Sequence, residues 1–132
     1  MHVINDYPKD FRYTQHHVWV RPEGKKRLAR IGITEELANK LQEILGIDMP
    51  MVGDELEMDA PCLHIHRATS ISYLSAPLSG RVTQINKDVL DNPRLIALDP
   101  YTHWLFSMEY DEEEELDMLM TASQYAAHLD SL

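Results

Sequence analysis

Short runs in which apolar and polar residues alternate recur about every ten residues along the chain, the spacing of strands in a sandwich or barrel. "HVWVR" (His17 to Arg21) alternates and is rich in β-branched and aromatic residues. "PEGKK" turns the chain at Glu23-Gly24, and "RLARIGI" (Arg27 to Ile33) returns as its hairpin partner, with Arg27 and Arg30 outward. The period then changes. Thr34 is placed to cap a helix over "EELANKLQEIL", where Glu35 and Glu36 sit at the positive end of the dipole. Leu37, Leu41, Ile44 and Leu45 recur at helical spacing along one buried face, and Gly46 stops the helix.

"IDMPMVGDELEM" reads as strand, turn, strand, punctuated by Pro50 and Gly53. Cys62 to Ser75 forms a hairpin with a small polar tip, and "GRVTQIN" (Gly80 to Asn86) is a further strand after "APLSG". "DNPRLIALDPYTH" is expected as a structured loop, and "WLFSMEY" (Trp104 to Tyr110) as the last strong strand. Asp111 opens a final helix whose first turn, Glu112 to Glu115, suits the dipole and is expected to be solvated. Leu116, Leu119, Met120 and Tyr125 would pack it onto the sheet. Trp19, Trp104 and the methionines Met49, Met51, Met58, Met108, Met118 and Met120 are expected in the core.

At 132 residues the chain makes one domain, 1–132, with an N-terminal extension over 1–10 and a C-terminal helix over 111–132. The net charge of −10 excludes a nucleic-acid platform, since phosphate binding needs clustered Lys and Arg. It suits a partner with a basic docking face. The single cysteine, Cys62, excludes an internal disulfide framework. No run approaches the roughly 18–20 apolar residues of a membrane helix, and "MHVINDYPKDFRYT" does not have the pattern of a secretory signal. A soluble, cytoplasmic protein with no membrane association is expected.

The order of motifs resembles the H-protein of the glycine cleavage system over nearly the whole chain. Tyr13, Thr14, His17, Trp19 and Val20 are similar to the family's opening, and "IGIT" (Ile31 to Thr34) to its next signature. Sixteen residues then lead to Pro50. "VGDEL" (Val52 to Leu56) matches "VGDEV", and "APLSG" (Ala76 to Gly80) matches "APVSG". "DNP", "DPY" and "HWL" follow in order. No one motif is specific; seven in sequence are. The resemblance implies a mainly β fold, a lipoyl-domain-like barrel-sandwich hybrid with a short internal helix and a C-terminal helix. It also implies a carrier without catalysis, in which lipoic acid is joined by an amide to a lysine at a hairpin tip. That arm moves between decarboxylase, aminomethyltransferase and dihydrolipoyl dehydrogenase.

The family's tip reads roughly E-S-V-K-A, six residues separating its lysine from the Ala-Pro pair. Counting from "VGDEL" and from "APLSG" places Thr69 at the lysine position and His66 at the acidic one. A second register, setting "RATS" on "KATS", places Arg67 there. Neither residue offers a primary amine, and a guanidinium is not acylated in this manner. The nearest lysines are Lys40, on the expected helix, and Lys87. No lipoate, and no other cofactor, is therefore expected.

Cys62, His64 and His66 alternate, so a regular strand presents all three on one face, and their ligand types suit Zn or Cu. Residues i and i+4 on a strand lie about 13 Å apart, too far for one ion without a bulge or outside ligands such as His16, His17 or His103. The plainer reading makes Cys62 a small buried hydrophobe and the histidines ordinary strand residues. There is no G-x-S-x-G, phosphate loop or H-E-x-x-H, and the serines at 70, 72, 75 and 79 have no assignable base. The sequence thus points first to an interaction or regulatory pseudo-carrier that binds proteins of the glycine cleavage or lipoylation machinery. A working H-protein with an atypical attachment, and a metal or small-ligand module on the 62–66 strand, are the alternatives.

Overall fold

The computed structural model describes residues 7–24 and 26–132. Residues 1–6 of the expected extension, and Lys25 in the expected turn, lie outside the described residues. Six strands form one antiparallel sheet: β1 (Arg12–Tyr13), β2 (Val18–Glu23), β3 (Leu28–Ile33), β5 (Glu55–Leu56), β8 (Gly80–Ile85) and β9 (Phe106–Tyr110), in the order β1-β2-β3-β9-β8-β5. Three more form a second antiparallel sheet in the order β4-β6-β7: β4 (Ile44–Asp48), β6 (Pro61–Arg67) and β7 (Ile71–Ser75). The fold is mainly β, as expected, but the two sheets do not close into a barrel.

The β2–β3 hairpin explains how the layers form. Its register runs from Val18↔Ile33 to Glu23↔Leu28. Val18, Val20, Ile31 and Ile33 share the main core with Ile44, Ile47, Leu63, Ile65 and Leu74 of the second sheet. Side chains alternate across a strand, so Trp19 belongs to a second cluster with Tyr7, Phe11, Tyr13 and Tyr125. Gly32 faces Trp19, and a Cβ there would overlap the indole. The indole N–H donates to the Pro100 carbonyl at 2.9 Å. Tyr7, within the expected extension, is buried in the same cluster as Phe11, just beyond it, so this residue of the extension belongs to the core.

Several expectations are corrected. The helix over 35–45 shrinks to α1 (Glu35–Ala38). Thr34 does cap it, accepting from the Leu37 N–H at 3.5 Å. Glu43 then takes a left-handed backbone (φ 57°), and Ile44–Asp48 leaves to pair with β6. Ladder hydrogen bonds and burial of Ile44 and Ile47 outweigh helical propensity, which is a weak preference. Leu45 consequently faces solvent, and Gly46 lies within the strand rather than ending a helix. The loop expected over 91–103 contains helical turns: α2 (Lys87–Asp91), capped by Asn86, runs into it, and α3 (Leu95–Leu98) follows Pro93.

The C-terminal helix is two helices, α4 (Glu113–Asp117) and α5 (Ala122–Asp130). Between them Met120 exchanges backbone hydrogen bonds with Tyr13, both 2.8 Å, and Thr121 and Gln124 form a capping box that restarts the helix. Glu115 is not a solvated charge: Ser79 donates to it from N–H (2.9 Å) and from Oγ (3.0 Å). Trp104 is only half-buried, with the Arg30 guanidinium 4.7 Å from its ring. Met108 is buried, whereas Met51 and Met118 are exposed.

Candidate functional site

The stretch from Cys62 to Ser75 is a hairpin, and Ala68, Thr69 and Ser70 form its exposed tip. Leu63, Ile65 and Leu74 anchor it in the core, which leaves the turn projecting from a fixed base. Arg67 N–H donates to the Ser70 carbonyl at 2.9 Å and closes the turn. The Arg67 guanidinium then braces it. Nε and Nη2 donate to Ser70 Oγ at 3.2 and 2.8 Å, and Nη1 donates to the Lys40 carbonyl at 2.9 Å. Ala68 N–H donates to the Glu43 carbonyl at 3.2 Å. The tip is thus tied to the 40–43 turn, a neighbour that sequence reasoning placed inside a helix. Glu43, held left-handed, was the missed residue; a left-handed glutamate leaves no signal in a single sequence.

Thr69 stands at the tip with its side chain in solvent, and Arg67 is the last residue of β6 with its side chain occupied. The chain's lysines are Lys9, Lys25, Lys26, Lys40 and Lys87, so the hairpin holds none. The group that joins lipoate to protein is an amine, and the tip residues do not fit it.

The three residues expected on one face do not meet. A register shift between Pro61 and Leu63 falls at Cys62 and turns its side chain toward the core. Burial pushes the thiol up to about 12, so it is protonated and inert at neutral pH. His64 and His66 face outward and share Asp48 on β4: His66 Nε2 lies 2.6 Å, and His64 Nδ1 4.0 Å, from Asp48 Oδ2. The hydrogen bond from His66 holds the Asp48 carboxyl below the usual range. His64 also packs edge-on against Tyr73, with ring centroids 4.7 Å apart. Among the described residues no group of three or more His, Cys, Asp or Glu is arranged to hold a metal ion. His16 and His17 lie at the start of β2, where His17 Nδ1 is 2.7 Å from Tyr125 Oη, and His103 precedes β9. Of the serines, Ser70 Oγ accepts from Arg67, and Ser79 Oγ donates to the Glu115 carboxylate, in the first turn of α4, while accepting from the Met58 N–H.

A second polar network lies at the buried end of the molecule, on residues that sequence reasoning placed in core, cap and strand. Tyr125 Oη bridges His17 Nδ1 and, at 2.9 Å, Thr34 Oγ1. Since Thr34 Oγ1 accepts from Leu37, every group is satisfied when Thr34 donates to Tyr125 and Tyr125 donates to a neutral His17. Burial, and then the charge of Lys40, keep the His17 imidazole below its ordinary pKa.

No helix among the described residues is long and apolar enough to cross a membrane. The profile of the glycine cleavage H-protein family matches residues 11–132. A glycine cleavage system H protein of Bacillus licheniformis is 38% identical over 119 residues, 89% of this chain and 92% of the relative. That of Bacillus subtilis is 39% identical with the same coverage. The crystal structure of a glycine cleavage system H protein from Mycobacterium marinum superposes with a TM-score of 0.79 at 30% identity, over 96% of this chain and all of that one. With the motifs, the sandwich and the hairpin all in register, the chain belongs to the glycine cleavage H-protein family.

Proposed function

We propose that this protein is an unlipoylated pseudo-carrier: a cytoplasmic member of the H-protein family that binds proteins of the glycine cleavage or lipoylation machinery as an interaction or regulatory partner. The family is one of carriers, and the chain is not an enzyme. The observation that carries the reading is the hairpin tip, Ala68-Thr69-Ser70, with no lysine from residue 41 to residue 86. The hairpin, its turn and the sheet beneath it are kept, while the amine that acylation requires is missing. The reading predicts family docking without transfer of a group.

The test is intact mass after incubation with a lipoyl ligase and lipoic acid. The wild-type chain is expected unmodified, and Thr69→Lys is expected to gain one lipoyl group. Modification of the wild-type hairpin would overturn the reading, and an unmodified, folded Thr69→Lys would overturn the register. One observation favours a second reading, a working carrier with an atypical attachment. The Lys40 backbone is bonded to the hairpin through Arg67. Lys40 is exposed and stands beyond the end of α1. A lipoyl group mapped to Lys40 by peptide sequencing would establish that alternative.

A further inference from the structure

The sheet edges are unequally protected. The free side of β1 is covered by its double hydrogen bond with Met120. The edge strand β5 is two residues long and carries Glu55. The edge strand β4 is bulged between Ile44 and Gly46 and carries Asp48. Short length, bulges, charges and cover are the usual defences against edge-to-edge pairing. The edge strand β7 has none of them. Its sequence, Ile-Ser-Tyr-Leu-Ser, contains no charged residue, and among the described strands it alone does not. Ile71 is 49% and Tyr73 65% exposed.

The backbone phase makes this edge competent. The turn-closing bond from Arg67 to Ser70 places the hydrogen-bonded pairs of the hairpin at Ile65↔Ser72 and Leu63↔Leu74, because such pairs alternate in an antiparallel ladder. The N–H and C=O groups of Ile71 and Tyr73 therefore point away from β6. The same two residues carry the exposed side chains.

We propose that β7 pairs antiparallel with β7 of a second copy of this chain, across a two-fold axis at Tyr73. Each Tyr73 exchanges backbone hydrogen bonds with its counterpart, Ile71 lies opposite the counterpart of Ser75, and the two three-stranded sheets become one six-stranded sheet. The occupant follows from the strand's own chemistry. β7 offers no charge for a charged segment to answer, and its antiparallel twin sets an uncharged strand on an uncharged strand and an aromatic ring beside an aromatic ring. The net charge of −10 opposes association at long range, and salt screens that opposition. Association therefore tightens as salt rises, the reverse of what a basic partner drawn by the net charge would show. One five-residue edge is a small contact, so the dimer is a weak, reversible one.

Sedimentation velocity of the full chain from about 10 μM to about 1 mM, at roughly 0.05 and 0.5 M salt, tests this. The expected result is a monomer–dimer equilibrium that tightens with salt, together with slower amide exchange at Ile71 and Tyr73 as concentration rises. Tyr73→Lys sets like charges opposite each other and should raise the dimer Kd at least ~10-fold; Ile71→Lys should raise it less. A monomer at every concentration with freely exchanging Tyr73 amide would overturn the proposal. So would a dimer that Tyr73→Lys leaves unchanged, or one that salt weakens.

Discussion

The two sheets are built to different standards. The six-stranded sheet is covered by the main core on one face and, at its β1–β2 end, by the aromatic cluster around Trp19 and Tyr125 on the other, where Arg81 and Glu109 at the far end stay exposed. The three-stranded sheet buries one face only. Its outer face carries Asp48, His64, His66, Ile71 and Tyr73 in partial or full exposure. An antiparallel sheet with one wet face can present side chains without endangering the fold, because its anchoring residues point the other way. Stability is concentrated in the larger sheet and presentation in the smaller, and the hairpin tip belongs to the smaller.

The sharpest test substitutes an aromatic in each sheet. Trp19→Ala removes a fully buried indole and its bond to Pro100, and should cost about 3–5 kcal/mol. Tyr73→Ala, on the exposed face, should stay within roughly 0.5 kcal/mol. Urea denaturation midpoints decide it: a Tyr73 loss comparable to that of Trp19 would end the contrast.

The next effect lies in the network that docks α5. Tyr125→Phe leaves the buried Thr34 hydroxyl without an acceptor and His17 Nδ1 without a donor, at a cost of about 1–3 kcal/mol. The same network gives a pH dependence. The folded His17 pKa lies below its unfolded value near 6.5. As pH falls through 6.5 the unfolded chain takes up a proton that the folded chain resists, so stability is full above 6.5 and declines below it. The decline ends once pH passes the lower folded value. His17 has a left-handed backbone (φ 66°), which Asn tolerates. His17→Asn should therefore flatten the stability profile between about pH 7 and pH 5. An unchanged slope would mean that another group carries it.

Much of this contrast was legible in the sequence. Alternation placed β2, β3, β9 and the hairpin, and Thr34 declared itself as a cap. Motif spacing led to the family and put Thr69 at the tip. What was not legible depended on contacts distant in sequence. Leu41, Ile44 and Leu45 fit a helical period, yet the unpaired edge of β6 recruits Ile44–Asp48 as a strand. The helix break at 118–121 is made by Tyr13, more than a hundred residues away. Cys62 left the face of His64 and His66 because a register shift at the start of β6, beside Pro61, turned it, and Pro61 was the one local signal of it.

A small stability effect should come from Arg67, and it bears most directly on the tip. Arg67 ties Ser70 to the Lys40 carbonyl in solvent-accessible surroundings, so Arg67→Ala should cost no more than about 1 kcal/mol. Its local consequence should be larger. Without the guanidinium, the 68–70 turn keeps only the backbone bonds from Arg67 to Ser70 and from Ala68 to Glu43. Amide exchange at Arg67 and Ala68 should then accelerate while that of Leu63 and Ile65, in the core, stays unchanged. The distinction bears on the proposed pseudo-carrier role, which calls for a braced tip that a partner can read as a fixed surface. Unaltered exchange at Ala68 would show that the backbone alone holds the turn.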